Sequence, residues 1–417
     1  MHRIVFDARC AGAFFQPAPP TRLPTASAVP SLEPGSLPLC VASGDLDTAF
    51  YRLRPMEGLG DYFTLPVLSS TLAGVAELDG VPVPAGASLA PCLTIVPTGW
   101  SWAVHFCQAV TMRAIAVAGF ADSQIVEDGR ASVALLSASD TAAAGYAGNF
   151  YTFGHDPSLV TQRQDDVAAA RRWGLAVHEE PDASADAVLA GLELRQGRWL
   201  SIKRLNLWRL RAGLNTVLRR GRCCSKILEV LIGRVTWACL ILREALCVLS
   251  SACPCMAGGL PTTSRLWRSV RCELRPVRSL PPLLQKDLSS PWRDVVGVTD
   301  AFEFGAGVAA RSAQPGVAAQ RGRLCERWRY HVTGAEKARR RALHPRPLPS
   351  STSGTASLPA GFHGLGIFGF ESVIRVLPRE VMEVSREFLD VPCWGPVIAS
   401  RVVVPDNILA LEGARAS

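Results

Sequence analysis

Asp45 and Asp47, in the segment GDLDTAFYRL, are the first residues whose types and spacing could do chemistry. In an extended segment the two carboxylates lie on one face, and paired oxygen ligands are what a hard cation such as Mg²⁺ takes. A second group lies in GYAGNFYTFG, where Tyr146 precedes Ala147, Gly148 and Asn149 between two runs that can pair as strands. Gly148-Asn149 makes a comfortable hairpin turn, because both residue types tolerate positive φ. At the amino end RIVFDAR places Arg3, Asp7 and Arg9 along one short strand. Taken alone, that is a surface strand with a local ion pair worth little energy. PTGWSWA offers Gly99, where close backbone approach and an unusual φ both favour glycine. Farther on, GVTDAFEFGAGV carries Asp300 and NILALEGARA carries Glu412. Singly, each has an ordinary reading: a polar strand end running into the core aromatic Phe50, a strand acid at Asp300, and a helix-surface acid at Glu412.

The elements that must position these residues follow from local pattern. RIVFDAR reads as a strand and residues 16–38, rich in Pro and Ser, as an extended loop. LCVASGDLDTAFYRL reads as a strand that turns helical after its acids, and YFTLPVL and LTIVPTG as further strands. Ser101 to Ile115 reads as a helix capped by Ser101, with Trp102, Phe106 and Val110 at four-residue spacing. After the hairpin, Asp165 to Ala176 is predicted helical and AVLAGLELR a strand or turn. Residues 203–250 read as helices with basic faces, and residues 254–292, with several prolines, as a connector. VVGVTDAFEFGAGVAA reads as two strands about a glycine-bearing turn, and residues 338–360 as a surface loop or disordered stretch.

Composition sets the outer bounds. The chain has 417 residues with 48% hydrophobic, enough for two or three domains and a sizeable core. Its charge of +8 is unevenly spread: Arg195 to Arg293 holds 19 Lys and Arg against 4 acids, a net of +15, while the remainder carries −7. A basic middle between acidic flanks fits a polyanion partner, most simply nucleic acid, or else a solvated helical face. The most apolar stretch, Ile227 to Ser250, is interrupted by Glu229, Arg234, Arg243 and Glu244, which argues against a membrane span. The 13 cysteines show no metal spacing. With no secretory signal, they are expected as reduced thiols of an intracellular, cytoplasmic or nuclear protein.

Taken in order, RIVFDAR, SGDLDTAFYRL, LTIVPTGWSWAVHFCQ, GYAGNFYTFG and VLAGLEL resemble the palm of retroelement reverse transcriptases, over roughly residues 1 to 250 and beyond. The resemblance implies an α+β fold: a right-hand polymerase palm with incomplete fingers (1–200), a helical thumb/connection (201–290) and a truncated ribonuclease H-like domain (291–417). It implies in-line phosphoryl transfer with two Mg²⁺ ions, deoxynucleoside triphosphates and an RNA or DNA primer–template. Asp45 becomes a metal ligand, Arg3 a phosphate contact, and Phe50 the ring beneath the sugar. Gly99 becomes the close-approach glycine, and Tyr146 the residue packed beneath the primer end. Asp300 and Glu412 become the first two nuclease carboxylates. Arg209, Arg211, Arg219, Arg220 and Arg222 become duplex-backbone contacts.

The same resemblance implies damage. The family pattern is Tyr-x-Asp-Asp, or Asp-Asn in some relatives, where this chain has Gly148-Asn149. An Asn oxygen is neutral and cannot balance a second Mg²⁺ charge. A phosphate-binding Lys strand that precedes RIVFDAR in the family has no counterpart here, nor do two later nuclease acids. The expectation is a catalytically impaired polymerase remnant. The alternatives are a non-catalytic nucleic-acid-binding protein and an unstable relic. Compensation by Asp47 is the testable exception.

Overall fold

The computed structural model describes residues 6–178, 181–249, 251–252, 255, 263–302, 305–323, 331–332, 374–375 and 395–401. The chain divides into two compact units, Met1–Leu324 together with Cys393–Ser417, and Cys325–Pro392. In the second unit His331–Val332 pairs antiparallel with Ile374–Arg375.

In the first unit, the strands in chain order begin with β1 (Cys40–Leu46), β2 (Leu68–Ser69), β3 (Glu77–Leu78), β4 (Val81–Pro82) and β5 (Ser88–Leu89). They continue with β6 (Thr141–Tyr146), β7 (Asn149–Gly154), β8 (Val177–His178), β9 (Ala187–Leu189), β10 (Leu192–Arg195) and β11 (Trp199–Ile202). Then come β12 (Arg222–Cys223), β13 (Ser264–Arg265), β14 (Gln285–Asp287), β15 (Val295–Phe302), β16 (Gly305–Ser312) and, last, the strand Gly395–Arg401. The helices are α1 (Arg9–Gly12), α2 (Ala49–Arg52), α3 (Ser70–Ala73), α4 (Ser101–Val117), α5 (Pro157–Ala168), α6 (Arg204–Arg220), α7 (Ser225–Cys239), α8 (Arg268–Val277) and α9 (Val317–Gly322). The fold is thus mixed α/β with several small sheets. No helix among the described residues is long and apolar enough to cross a membrane.

The central sheet has the order β6-β7-β1-β8, all antiparallel. Its strands are short runs of small and aromatic residues whose alternate side chains serve two different cores. Ala143, Phe150 and Leu46 join Cys107, Ala114 and Ile115 of α4 and Val167 of α5 on one face. Val41, Ala142, Ala144, Tyr151 and Phe153 point the other way. They share one core with Leu189, Leu192, Leu194 and Leu200 of the second sheet, order β14-β11-β10-β9, and with Leu210, Leu214, Leu228, Ile232, Val270 and Leu274 of α6, α7 and α8. The basic helices are therefore packed through one continuous apolar core to the sheet that carries Asp45. The Tyr151 hydroxyl adds a polar tie, accepting from the Ala190 N–H at 3.0 Å.

Several sequence expectations are corrected. The described part of RIVFDAR is not a strand: residues 6–8 are irregular and Arg9 opens α1. YFTLPVL and LTIVPTG have lone or bulky apolar residues without sustained pairing. They give a 3₁₀ turn at Leu59–Phe63, the two-residue β2, and irregular chain. Ser101 starts α4 but does not cap it; Trp100 holds the cap position with no side-chain bond. The helix placed at Asp165 to Ala176 begins earlier, because the Asp156 carboxylate accepts from the Ser158 N–H at 2.9 Å with Pro157 in the first turn. The 254–292 connector contains α8, whose Pro276 sits in the last turn and so does not prevent the helix. β15 and β16 form the expected hairpin, with Phe302 opposite Gly305. Residues 338–360 lie outside the described residues.

Candidate functional site

The hairpin β6–β7 closes one residue earlier than its sequence suggests. Tyr146 pairs with Asn149, so the two turn residues are Ala147 (φ 44°) and Gly148 (φ 110°). Both have positive φ, as a two-residue hairpin with right-handed strand twist requires. Asn149 is not in the turn. It opens β7 and pairs with Asp45 of β1, and Asp45 also pairs with His178 of β8. Lateral partners in a sheet point to the same face. Tyr146, Asn149, Asp45 and His178 therefore form one row across the end of the sheet, on the face away from α4 and α5.

The tip is fixed from beneath by two buried polar side chains of α4. Gln108 donates from Nε2 to the Gly145 carbonyl and accepts at Oε1 from the Ala147 N–H, both at 2.8 Å. Thr111 Oγ1 accepts from the Gly148 N–H at 3.0 Å while donating to the Cys107 carbonyl at 2.9 Å. The Leu46 N–H donates to the Gly148 carbonyl at 2.9 Å, which ties the turn to β1. A Cβ at Gly148 would stand 3.9 Å from Asp45 Oδ1, 3.8 Å from Cys107 Sγ and 3.1 Å from Ala49 Cβ. Position 148 is thus where a second carboxylate would adjoin Asp45.

Asp45 is partly exposed and its Oδ2 lies 3.7 Å from His178 Nε2. Below the row, burial followed by the Asp45 charge pushes the Cys107 thiol up to about 12. Cys107 is therefore a protonated packing group and not a nucleophile. Asp47 does not share the row. The strand ends at Leu46, Thr48 takes φ 50°, and the Asp47 carboxylate accepts from Arg52 Nη2 at 2.9 Å. Sequence alternation could not see that the chain turns there.

Phe50 is half-buried between the α4-side core and the cluster of Phe63, Val96 and Trp100. Tyr146 is 38% exposed at the strand end. At Gly99 a Cβ would collide with the Phe6 carbonyl oxygen, and its φ is not in the left-handed region. Close approach does require this glycine, but the approaching backbone is the chain's own. Arg3 and Glu412 lie outside the described residues. Asp300 pairs with Gly307 in the β15–β16 hairpin, and its side chain is likewise outside them. Arg209, Arg219, Arg220 and Arg222 are exposed, and Arg211 lies 5.5 Å from the Trp208 ring centroid. Sequence reasoning missed His178 and Gln108. His178 is far from the hairpin in sequence and is brought in only by β8 pairing; for Gln108, a polar residue in an apolar helix was the available signal.

The donor set does not suit a two-Mg²⁺ clamp. Beside Asp45 stand an imidazole, a carboxamide and a glycine. No group of three His, Cys, Asp or Glu able to hold a metal forms among the described residues. One carboxylate facing an imidazole does not fit two hard dications.

No protein-family model and no curated protein matches the chain. Among solved structures it is similar to the foamy viral protease-reverse transcriptase in complex with double-stranded DNA, at 9% identity and TM-score 0.46. It is also similar to the same viral protein in complex with an RNA/DNA hybrid, at 10% identity and TM-score 0.43. The match covers 74% of this chain in both cases, and 46% and 36% of those chains. The chain thus spans less than half the length of these two structures.

Proposed function

We propose that this chain is a reverse transcriptase-like nucleic-acid-binding protein of retroelement type, with a palm too depleted in carboxylates to polymerise. The observation that carries the reading is the row at the sheet end. Asp45 stands beside a rigidly held turn whose Gly148 Cβ position is 3.9 Å from its Oδ1. That is the placement a metal-binding carboxylate pair would need, and the second member is glycine. The basic helices, built on the same core as the sheet, suit a duplex backbone. The ribonuclease H-like reading of Asp300 and Glu412 belongs to this proposal, whereas Mg²⁺ enters only with a restored second carboxylate.

Binding and primer extension are the test. The natural chain is expected to bind primer–template with steep salt dependence and to give no extension. Gly148→Asp is strained by φ 110° and by Ala49 Cβ at 3.1 Å, so it is made together with Ala49→Gly. Gain of Mg²⁺-dependent extension in that double variant, abolished by Asp45→Asn, supports a palm missing one ligand. Losing such a ligand costs several kcal/mol, orders of magnitude in rate. Efficient extension by the natural chain, or failure to bind primer–template at low salt, overturns the reading.

A further inference from the structure

Helix α8 divides sharply. Val270, Leu274 and Val277 are buried in the main core, while Arg268, Arg271 and Arg275 recur at helical spacing on another face. Arg265 of β13 stands on the same side. These four arginines, with Leu266 and Cys272, line a cavity of about 510 Å³ that has no carboxylate among its described lining residues. Glu273, the one acid of the helix, is occupied elsewhere: its carboxylate accepts from the Ser251 and Ala252 N–H groups. No ion pair of Arg265, Arg268, Arg271 or Arg275 occurs among the described residues.

This arrangement is costly for the protein alone. Like charges three and four residues apart repel. Arginines in the first turn oppose the helix dipole. Arg271 Nε is buried without a partner among the described residues, which leaves a desolvated donor with no compensating bond. Places where several local rules are broken together are expected to be functional or strained sites. A chain of phosphate groups relieves every one of these costs, since guanidinium forks donate in pairs to phosphate oxygens.

We propose that the α8 cavity binds consecutive phosphate groups, supplied either by a free polyphosphate or by a nucleic-acid backbone. The inference rests on these arginines and not on the polymerase reading. The test titrates the full-length chain with inorganic tripolyphosphate by calorimetry, and with a fluorescent DNA duplex with and without tripolyphosphate. Arg268→Gln/Arg275→Gln should weaken at least one probe by about tenfold or more, without lowering the melting temperature, because repulsion is relieved. Arg271→Lys, which keeps charge but loses the fork, should weaken the same probe. Lys226→Gln, at an exposed cation of α7 paired with Glu229, should leave tripolyphosphate affinity unchanged. Mutual competition assigns the phosphates to a nucleic-acid backbone, and tripolyphosphate binding indifferent to duplex assigns them to free polyphosphate. Unchanged affinity of Arg268→Gln/Arg275→Gln for both probes overturns the proposal.

Discussion

Gln108 satisfies the Gly145 carbonyl at the end of β6 and the Ala147 N–H in the turn with one buried side chain. Replacing it with Leu strands both backbone groups, and the expected cost is roughly 2–4 kcal/mol. Thr111→Val removes one acceptor and should cost roughly 1–2 kcal/mol. Denaturant midpoints measure both. Cys107 offers a pH test. Its folded thiol titrates at about 12, whereas an unfolded thiol titrates at about 8.5. The unfolded chain therefore loses its proton first as pH rises. Stability from this group is full below pH ~8.5 and falls toward pH ~12. Substituting Cys107→Ala should flatten that decline in melting temperature. In the folded chain, iodoacetamide at mildly alkaline pH should label the exposed Cys92 and Cys272 and spare Cys107, as read by mass spectrometry.

Strand pairing is where distant segments are bound into the site's support. Between β10 and β11, Arg198 grips Asp287 of β14 with two bonds, Nε to Oδ1 at 2.8 Å and Nη2 to Oδ2 at 2.6 Å. The Arg198 guanidinium, helped by Ser289, holds the Asp287 carboxyl well below the usual carboxylate range. A depressed folded pKa stabilises above the unfolded value near 3.9 and is lost as pH falls below it. Asp287→Asn should therefore lower the melting temperature at neutral pH, with the gap to the natural chain closing in strong acid. Helices are more legible in this sequence than strands. α6 and α7 have long apolar periodicity and α4 is a long, mostly apolar run, but β8 is only Val177–His178 and owes its existence to β1. The turn falls one residue before the Gly-Asn pair because Ala147, a poor candidate for positive φ, is held there by Gln108.

Across the first unit, one apolar core joins the site-bearing sheet to a region of net +15. Under the proposed function, charge on such a platform acts by displacing counterions from a polyanion. Neutralising Arg219, Arg220 and Arg222 together should weaken duplex binding across all sequences. It should also reduce the slope of log affinity against log salt by about 0.9 for each phosphate no longer neutralised. Anisotropy titrations over a salt series read this directly, and an unchanged slope would place the duplex elsewhere. Core integrity has its own check: Leu214, fully buried in α6, should cost roughly 2–5 kcal/mol on Leu214→Ala.

By itself the sequence determined the charge asymmetry, the hairpin, the helix preceding it, and the glycine at position 148, since these depend on residue type and local period. The tertiary structure decided which groups meet. It set His178 against Asp45, turned Asp47 away to Arg52, filled the space at Gly99 with the Phe6 carbonyl, and gathered Arg265 with the arginines of α8. The reason is physical: side-chain type and backbone propensity act over a few residues, whereas strand register and close packing bring together groups whose separation along the chain carries no local signal.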